Sequence, residues 1–371
     1  MKNFLKVLRY TNHNTFSLRN ILNRLKVMRE YRKGRLSLRS FPNMIHIEPT
    51  NNCNIQCIMC PQPKVMKRKK GFMAMELYKK IIDELSDTPA EFVYLHQFGE
   101  SLLHKDIFNM ISYVRQKGLQ VGLSTNATLL NKENSLKLLE SGLDLLVLSL
   151  DGGNDALYQQ YRQGADWGIV KENCINFLEL RKIYGSKKNP HVIIQTISMK
   201  GNENSLPNLQ RQFSNYKCSF TNKPYNEWGG KVDKINSLST NANPTDAHLR
   251  QRCEKPYKLL TIEWDGTVVP CTRFFDNQYV YGVFPEKSLR EIWNSEVVMS
   301  FRKAHLDDRG KVSFCNNCIC DGPSFIECIA LVALDIMFIE KLIMDLPFVR
   351  NRGVANFIQK LPIVKKHKRF Q

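Results

Sequence analysis

The sequence predicts an α/β fold, a parallel sheet covered by helices and followed by a small α+β unit. Three observations predict it. From residue 44, short strands rich in β-branched residues and Leu alternate with amphipathic helices. Between residues 221 and 250 the rhythm stops in a stretch rich in Asn, Ser, Lys, Pro and Gly, which reads as a linker. From residue 251 a hairpin pattern and spaced cysteines take over.

The elements run in order along the chain. Met44–Glu48 reads as a strand and Met75–Leu85, by its apolar spacing, as a helix. Phe92–Gln97 is a strand and Asp106–Lys117 a helix; Gln120–Thr125 is a strand and Lys132–Ser141 a helix. The strand Leu145–Leu150 precedes helical stretches at Ala156–Arg162 and Val170–Tyr184. The strand Val192–Ser198 precedes a helix at Leu206–Phe213, and a weak sixth strand falls at Tyr216–Phe220. Such units suit a partial or full β/α barrel or an open doubly wound sheet. Leu259–Trp264 and Thr267–Pro270, joined by Asp265-Gly266, form a hairpin pattern, and Leu289–Ala304 reads as a helix.

Composition limits the function classes. No apolar run reaches the roughly 18 residues that span a bilayer, and the sequence reads as having no signal peptide. Eleven cysteines in such a chain point to metal ligands or catalytic groups in a reducing cytoplasm, not to a disulfide scaffold. The net charge is +19, yet residues 41–349 carry only +2 of it. The rest lies in residues 1–40 and 350–371, within an N-terminal arm, residues 1–43, and an apolar-then-basic extension, residues 326–371. Solvated tails explain these ends. So does docking on an anionic surface. Phe4, Leu5, Leu8, Ile21, Leu22 and Leu25 interleave with the bases and favour the inner face of a membrane over nucleic acid.

Cys53, Cys57 and Cys60 sit just after the first strand, within eight residues. Thiolates suit iron–sulfur chemistry or zinc. A closed zinc site needs a fourth ligand, and none lies nearby. Three ligands on a [4Fe–4S] cluster leave one iron open, which is a reactive arrangement. A second set comprises Cys253, Cys271, Cys315 and Cys318, enough for one auxiliary cluster or a zinc ion. Cys174 and Cys218 read as core residues.

The triad and the strand-end segments after it resemble the radical S-adenosylmethionine (SAM) superfamily over residues 44–220. The resemblance implies a partial (β/α)6 TIM-like barrel and a [4Fe–4S] cluster that binds SAM. One electron would split SAM into methionine and a 5′-deoxyadenosyl radical that takes hydrogen from a substrate. Phe98-Gly99-Glu100 resembles the family's Gly-Gly-Glu segment with its first Gly replaced, so Gly99 and Glu100 are expected at the SAM amino group. Ser149 in Ser149-Leu150-Asp151, Arg162 and Asn126 are expected near SAM, and Met59 beside its adenine.

Residues 251–325 resemble the SPASM and twitch extensions, small α+β domains with auxiliary [4Fe–4S] clusters. The order Cys253, Gly266, Cys271, Cys315-Asn316-Asn317-Cys318 carries that likeness. Ser324 stands where a full SPASM pattern has cysteine, and Cys320 and Cys328 are off-register, so one auxiliary cluster is expected. The twitch region resembles that of a radical SAM amino-cyclitol dehydrogenase.

These likenesses imply an oxidoreductase acting on an alcohol of a sugar, cyclitol or glycan precursor, with the auxiliary cluster taking one electron. A reducing donor such as flavodoxin or ferredoxin is implied as partner. A SPASM-type peptide maturase is the alternative, although only 43 residues precede the first strand, short for its usual peptide-binding domain. A non-catalytic iron–sulfur or zinc protein is the third reading. No general base is identified; His96, His104 and Arg273 lie near the site edges, and the basic run at 67–70 reads as a solvated loop.

Overall fold

A computed structural model of the chain describes residues 17–184, 190–225 and 252–316, with single residues 228, 238 and 318. All lie in one compact unit, residues 1–322. Cys320, Ser324, Cys328 and the extension at 326–371 lie outside the described residues.

Six parallel strands carry the fold: β1 (Met44–Ile47), β3 (Phe92–Leu95), β4 (Gln120–Thr125), β5 (Leu145–Ser149), β7 (His191–Ser198) and β8 (Ser219–Pro224). They lie side by side in chain order, β1-β3-β4-β5-β7-β8. A doubly wound sheet would reverse direction at a switch point. With no reversal, every crossover helix falls on one face and the other face becomes a barrel lumen. The crossover helices show why they pack there. In Met75–Ser86 the buried residues Tyr78, Ile81, Ile82 and Leu85 recur at helical spacing. Each such side chain contributes about 1.5–3 kcal/mol of apolar burial.

A two-stranded ribbon, β2 (Gln56–Cys57) with β6 (Arg162–Gln163), lies off the main sheet. The small unit is not separate from the sheet. Its hairpin, β9 (Leu259–Ile262) and β10 (Thr267–Val269), joins through β9, which pairs in parallel with β1. A short β11 (Gly282–Val283) completes that edge.

Three readings from sequence change. The helix read as Leu289–Ala304 is two helices, Leu289–Trp293 and Glu296–Asp308. Ser295 caps the second by accepting from the Val298 amide, and the Asn294 side chain is spent on the Leu38 backbone, so the first cannot continue. The sixth strand starts three residues later than read, because turn hydrogen bonds from Tyr216 to Phe213 and from Cys218 to Tyr216 occupy the preceding backbone. The basic N-terminal arm contains a docked helix, Leu18–Arg32. Its Asn23 side chain bonds the Phe41 backbone, and Tyr31 packs edge-on against Tyr257 at 5.3 Å.

The basic run at 67–70 is also corrected. Arg68 turns inward with its side chain 7% exposed, and its guanidinium grips Glu48 through two bonds of 2.7 and 2.5 Å. Glu263, at the end of β9, stands 3.4 Å from the same guanidinium. One cation serves two fully buried carboxylates. Glu48 holds it in the bidentate geometry, and burial beside that pair pushes Glu263 up to about 9. Arg68 therefore ties the cysteine loop, β1 and β9 together.

Arg68→Leu leaves Glu48 buried without its cation and is expected to cost about 3–5 kcal/mol of unfolding free energy. Glu263 keeps its proton to about pH 9, whereas an unfolded Glu loses it near pH ~4.3. The folded chain thus binds the extra proton between those values, and this contribution to stability falls as pH rises through that window. Glu263→Gln is expected to flatten that fall and cost far less than Arg68→Leu at neutral pH. Denaturant unfolding of the variants at several pH values checks both.

Candidate active site

The parallel strands end at one mouth, where a β/α barrel places its chemistry. The loop after β1 brings Cys53, Cys57 and Cys60 there. It is held from several sides. The Thr50 hydroxyl donates to the Gly71 carbonyl at 2.6 Å, and the Asn51 side chain bonds both Lys69 and Gly71. The Gln62 amide returns to the Asn51 carbonyl at 2.9 Å. The ribbon sets Cys57 opposite Arg162, and the Ile58 amide donates to Tyr161.

One cavity is lined by all three thiols and by Met59, Gly99, Glu100, Asn126, Ser149 and Arg162. The structure thus brings together every residue expected at the cluster and at SAM. Gly99 adopts φ +84°, and a Cβ there would sit 2.5 Å from the Thr50 carbonyl and 2.6 Å from that of Asn52. This close approach lets the Glu100 amide reach the Asn52 carbonyl at 2.8 Å, so the second strand end is locked onto the cysteine loop.

The buried Glu100 carboxylate accepts from the Thr125 hydroxyl at 2.8 Å, the Asn126 amide at 2.7 Å and the Leu102 amide at 3.1 Å. Burial still pushes its pKa up. The Asn126 side chain donates to Asn54 at 3.0 Å and points at the Cys53 sulfur from 4.0 Å. The Ser149 and Ser124 hydroxyls are 3.1 Å apart. Asp151 holds the Arg162 guanidinium through bonds of 3.0 and 2.6 Å, leaving its third nitrogen 3.9 Å from the Cys57 sulfur. The Met59 carbonyl accepts from the Trp228 indole at 2.9 Å, so that atom is already committed.

Burial pushes the Cys57 thiol up to about 11 and Cys60 higher still. None of the three is in a disulfide. Thiols so placed ionise when a metal centre supplies the compensating charge. Three soft donors around one cavity, with Arg162 and Asn126 directed at their sulfurs, fit a cluster with one open iron.

The second cysteine set lies at the other end of the lumen. β10 runs back along β9, so Cys271 falls level with the start of β1. Cys253 precedes the helix Lys255–Lys258, and Cys315 and Cys318 come after the helix Glu296–Asp308. The Cys315 thiol is pushed up by burial and by the charges of Cys271, Cys253 and Cys318, so all four are neighbours. Arg273 donates to the Cys318 sulfur. Among the described residues, no three His, Cys, Asp or Glu side chains close tightly enough to grip a single ion.

The family model of the radical SAM superfamily matches residues 47–200. That segment is a radical SAM domain. The model of the SPASM iron–sulfur cluster-binding domain matches residues 253–319. A cofactor-modifying protein of the tungsten-containing aldehyde ferredoxin oxidoreductase from Pyrococcus furiosus is 28% identical over 70% of this chain and 82% of its own. The S-adenosyl-L-methionine-dependent 2-deoxy-scyllo-inosamine dehydrogenase of Niallia circulans is 24% identical over 74% of this chain and 92% of its own. Among solved structures, BtrN with AdoMet and 2-DOIA shares the fold at a TM-score of 0.51, with 22% identity over 75% of this chain and 93% of its own. SuiB of Streptococcus suis, bound to its precursor peptide SuiA, shares it at 0.60, with 18% identity over 82% and 76%. This radical SAM enzyme therefore binds SAM and a [4Fe–4S] cluster in its core and auxiliary iron–sulfur chemistry in its SPASM domain.

Sequence reasoning missed Arg68, hidden inside a basic run, and Trp228, which lies in the segment read as a linker. Of the proposed bases, His104 is structural, with one ring nitrogen on the Met73 carbonyl and the other accepting from the Asp106 amide. Arg273 belongs to the second cysteine set. Only His96 lines the cavity.

Gly99→Ala would drive a Cβ into two backbone carbonyls of the cysteine loop. The expected outcome is a protein that stays folded but retains about four fewer irons per chain after anaerobic reconstitution, the content of one cubane. Iron and sulfide counting checks it.

Proposed function

We propose that this enzyme oxidises an alcohol of a sugar, cyclitol or glycan precursor to a carbonyl. One observation supports the reading: the triad follows the end of β1, whereas Cys271 of the four-cysteine set falls level with its start, and the wall near the triad carries polar side chains. When bound, the groups these cysteines hold supply a 5′-deoxyadenosyl radical at one end and an acceptor for one electron at the other. The substrate balance is one hydrogen atom, one proton and one electron lost, leaving a carbonyl.

The chain's own residues do the positioning. Cys53, Cys57 and Cys60 would hold the SAM cluster, and Cys253, Cys271, Cys315 and Cys318 one auxiliary cluster. Glu100 is held in place by three donors and faces the cavity as an acceptor for an ammonium group. Arg162, fixed by Asp151, presents positive charge for a carboxylate. Phe98 and Trp228, whose rings lie 5.6 Å apart, wall the mouth and limit water entry. His96 has its pKa lowered to about 4 by burial and by Lys223 and Arg162, so at neutral pH its ring is uncharged.

A panel of carbon-deuterated sugars and cyclitols, free and phosphorylated, tests this reading. The expected result is deuterium in 5′-deoxyadenosine together with one carbonyl product per turnover. Deuterium arriving only from a peptide substrate, with no carbonyl formed, would move the chain to the peptide maturases.

A basic surface supports contact with an anionic membrane. Lys26, Arg29, Lys33, Arg35 and Arg39 line one surface cavity with Glu30. The Glu30 carboxylate is spent on Arg39 and Ser40. Leu18 and Leu22 lie exposed earlier on the same helix face. Replacing those five bases with Gln is expected to abolish flotation with phosphatidylglycerol vesicles at physiological salt. Undiminished flotation would remove the membrane from the account.

A further inference from the structure

The cavity lined by the cysteine triad also holds polar groups that the thiols do not use. Gln97 is 8% exposed and lines the cavity, yet both atoms of its amide lack partners. Beside it the buried Nδ1 of His96 also lacks one. A buried amide left unpaired on both sides costs on the order of a few kcal/mol unless a ligand or water satisfies it.

A cation faces these groups. In the β7–β8 pairing Gln195 lies beside Thr221 and Ile197 beside Lys223. Gln195 and Ile197 both line the cavity. Register partners in a parallel sheet share a face, so Lys223 projects into the lumen. Its charge is felt by His46 and His96 on the facing strands. Lys223 is exposed to solvent, and desolvation together with the charge of Lys255 lowers its pKa. Among the described residues it forms no ion pair and no hydrogen bond. The buried acids at the strand ends are committed to other partners. Asp151 holds Arg162, Glu48 holds Arg68, and Glu100 is tied to the mouth by three donors.

We propose that Lys223, Gln97 and His96 form a substrate subsite for a hydroxyl-bearing anion, the ammonium of Lys223 taking a phosphate or carboxylate and the Gln97 amide a neighbouring hydroxyl. An amide that offers both donor and acceptor matches a hydroxyl, which does the same. An exposed ammonium with no ion pair among the described residues, on the inward face of β8, matches an anion. The inference rests on the alcohol-oxidation reading and narrows its substrates to acidic or phosphorylated polyols. Lys255 is not included, since its charge also reaches Cys271 and is accounted for there.

The test uses the anaerobically reconstituted holoenzyme with SAM bound. Calorimetry measures binding of inorganic phosphate, gluconate, glucose 6-phosphate and glucose. The proteins are wild type, Lys223→Met, Lys223→Arg and the surface control Lys132→Met. Expected is anion binding by wild type and by Lys132→Met, roughly tenfold weaker in Lys223→Met, the loss of one charge-assisted hydrogen bond, and restored in Lys223→Arg. Phosphate against gluconate shows which anion the site prefers. Gln97→Leu is expected to weaken glucose 6-phosphate but not inorganic phosphate. Equal anion binding in wild type and Lys223→Met, or none in wild type, overturns the proposal. The two readings fail separately. Lys223-dependent phosphate binding with no carbonyl product from any polyol supports the subsite and sinks alcohol oxidation. Oxidation of neutral polyols with Lys223-independent anion binding does the reverse.

Discussion

A single guanidinium joins the parts that must stay in register. Arg68 comes after the cysteine loop in sequence, grips Glu48 at the end of β1 and reaches Glu263 at the end of β9. Its Nε and backbone amide bond Phe275 and Asp276, four and five residues beyond Cys271. Its charge also lies over the Phe98 ring at 5.6 Å, beside Gly99 and Glu100. The loop carrying the triad, the strand end at Gly99 and Glu100 and the turn after Cys271 therefore share one buried anchor. Removing either carboxylate would leave a weaker pair; removing the cation leaves two buried acids.

That anchor works because the SPASM hairpin is hydrogen-bonded to the core. The parallel pairing of β9 with β1 fixes Cys253 and Cys271 at the start of the barrel strands while Cys53, Cys57 and Cys60 stand at their ends. The lumen has one thiol set toward each end of its strands. Its wall is mixed because of the pleat: alternate residues of β3 and β7 point in, so Tyr94 and Gln195 face the lumen while Val93, Leu95 and Ile194 face the helices.

Much of this was legible in the sequence. Strand and helix positions came from periodicity, since each crossover helix buries one face and each strand is short and β-branched. The triad was legible because three thiolates in eight residues have few other uses. That Gly99, Glu100, Asn126, Ser149 and Arg162 share a cavity with the triad was legible only through resemblance and their order at strand ends. Tertiary facts stayed hidden. Nothing local distinguishes Arg68 from the lysines around it, because its inward turn depends on two glutamates distant in sequence. The docking of Leu18–Arg32 depends on Asn23, Arg24 and Tyr31 meeting distant partners, which composition alone reads as a basic arm. Trp228 is a lone aromatic in a polar stretch until the Met59 carbonyl lies 2.9 Å from it.

The central claim is that one cavity unites the triad with Glu100, Asn126 and Arg162 as a SAM-cleaving site. Anaerobic incubation with SAM and a strong reductant, with 5′-deoxyadenosine quantified, tests it most directly against a protein carrying Cys53→Ala, Cys57→Ala and Cys60→Ala. The account predicts 5′-deoxyadenosine from the wild type alone, with about four irons remaining in the triple variant, the content of one auxiliary cubane. Equal 5′-deoxyadenosine from both proteins, or none from a wild type with its iron in place, would contradict it.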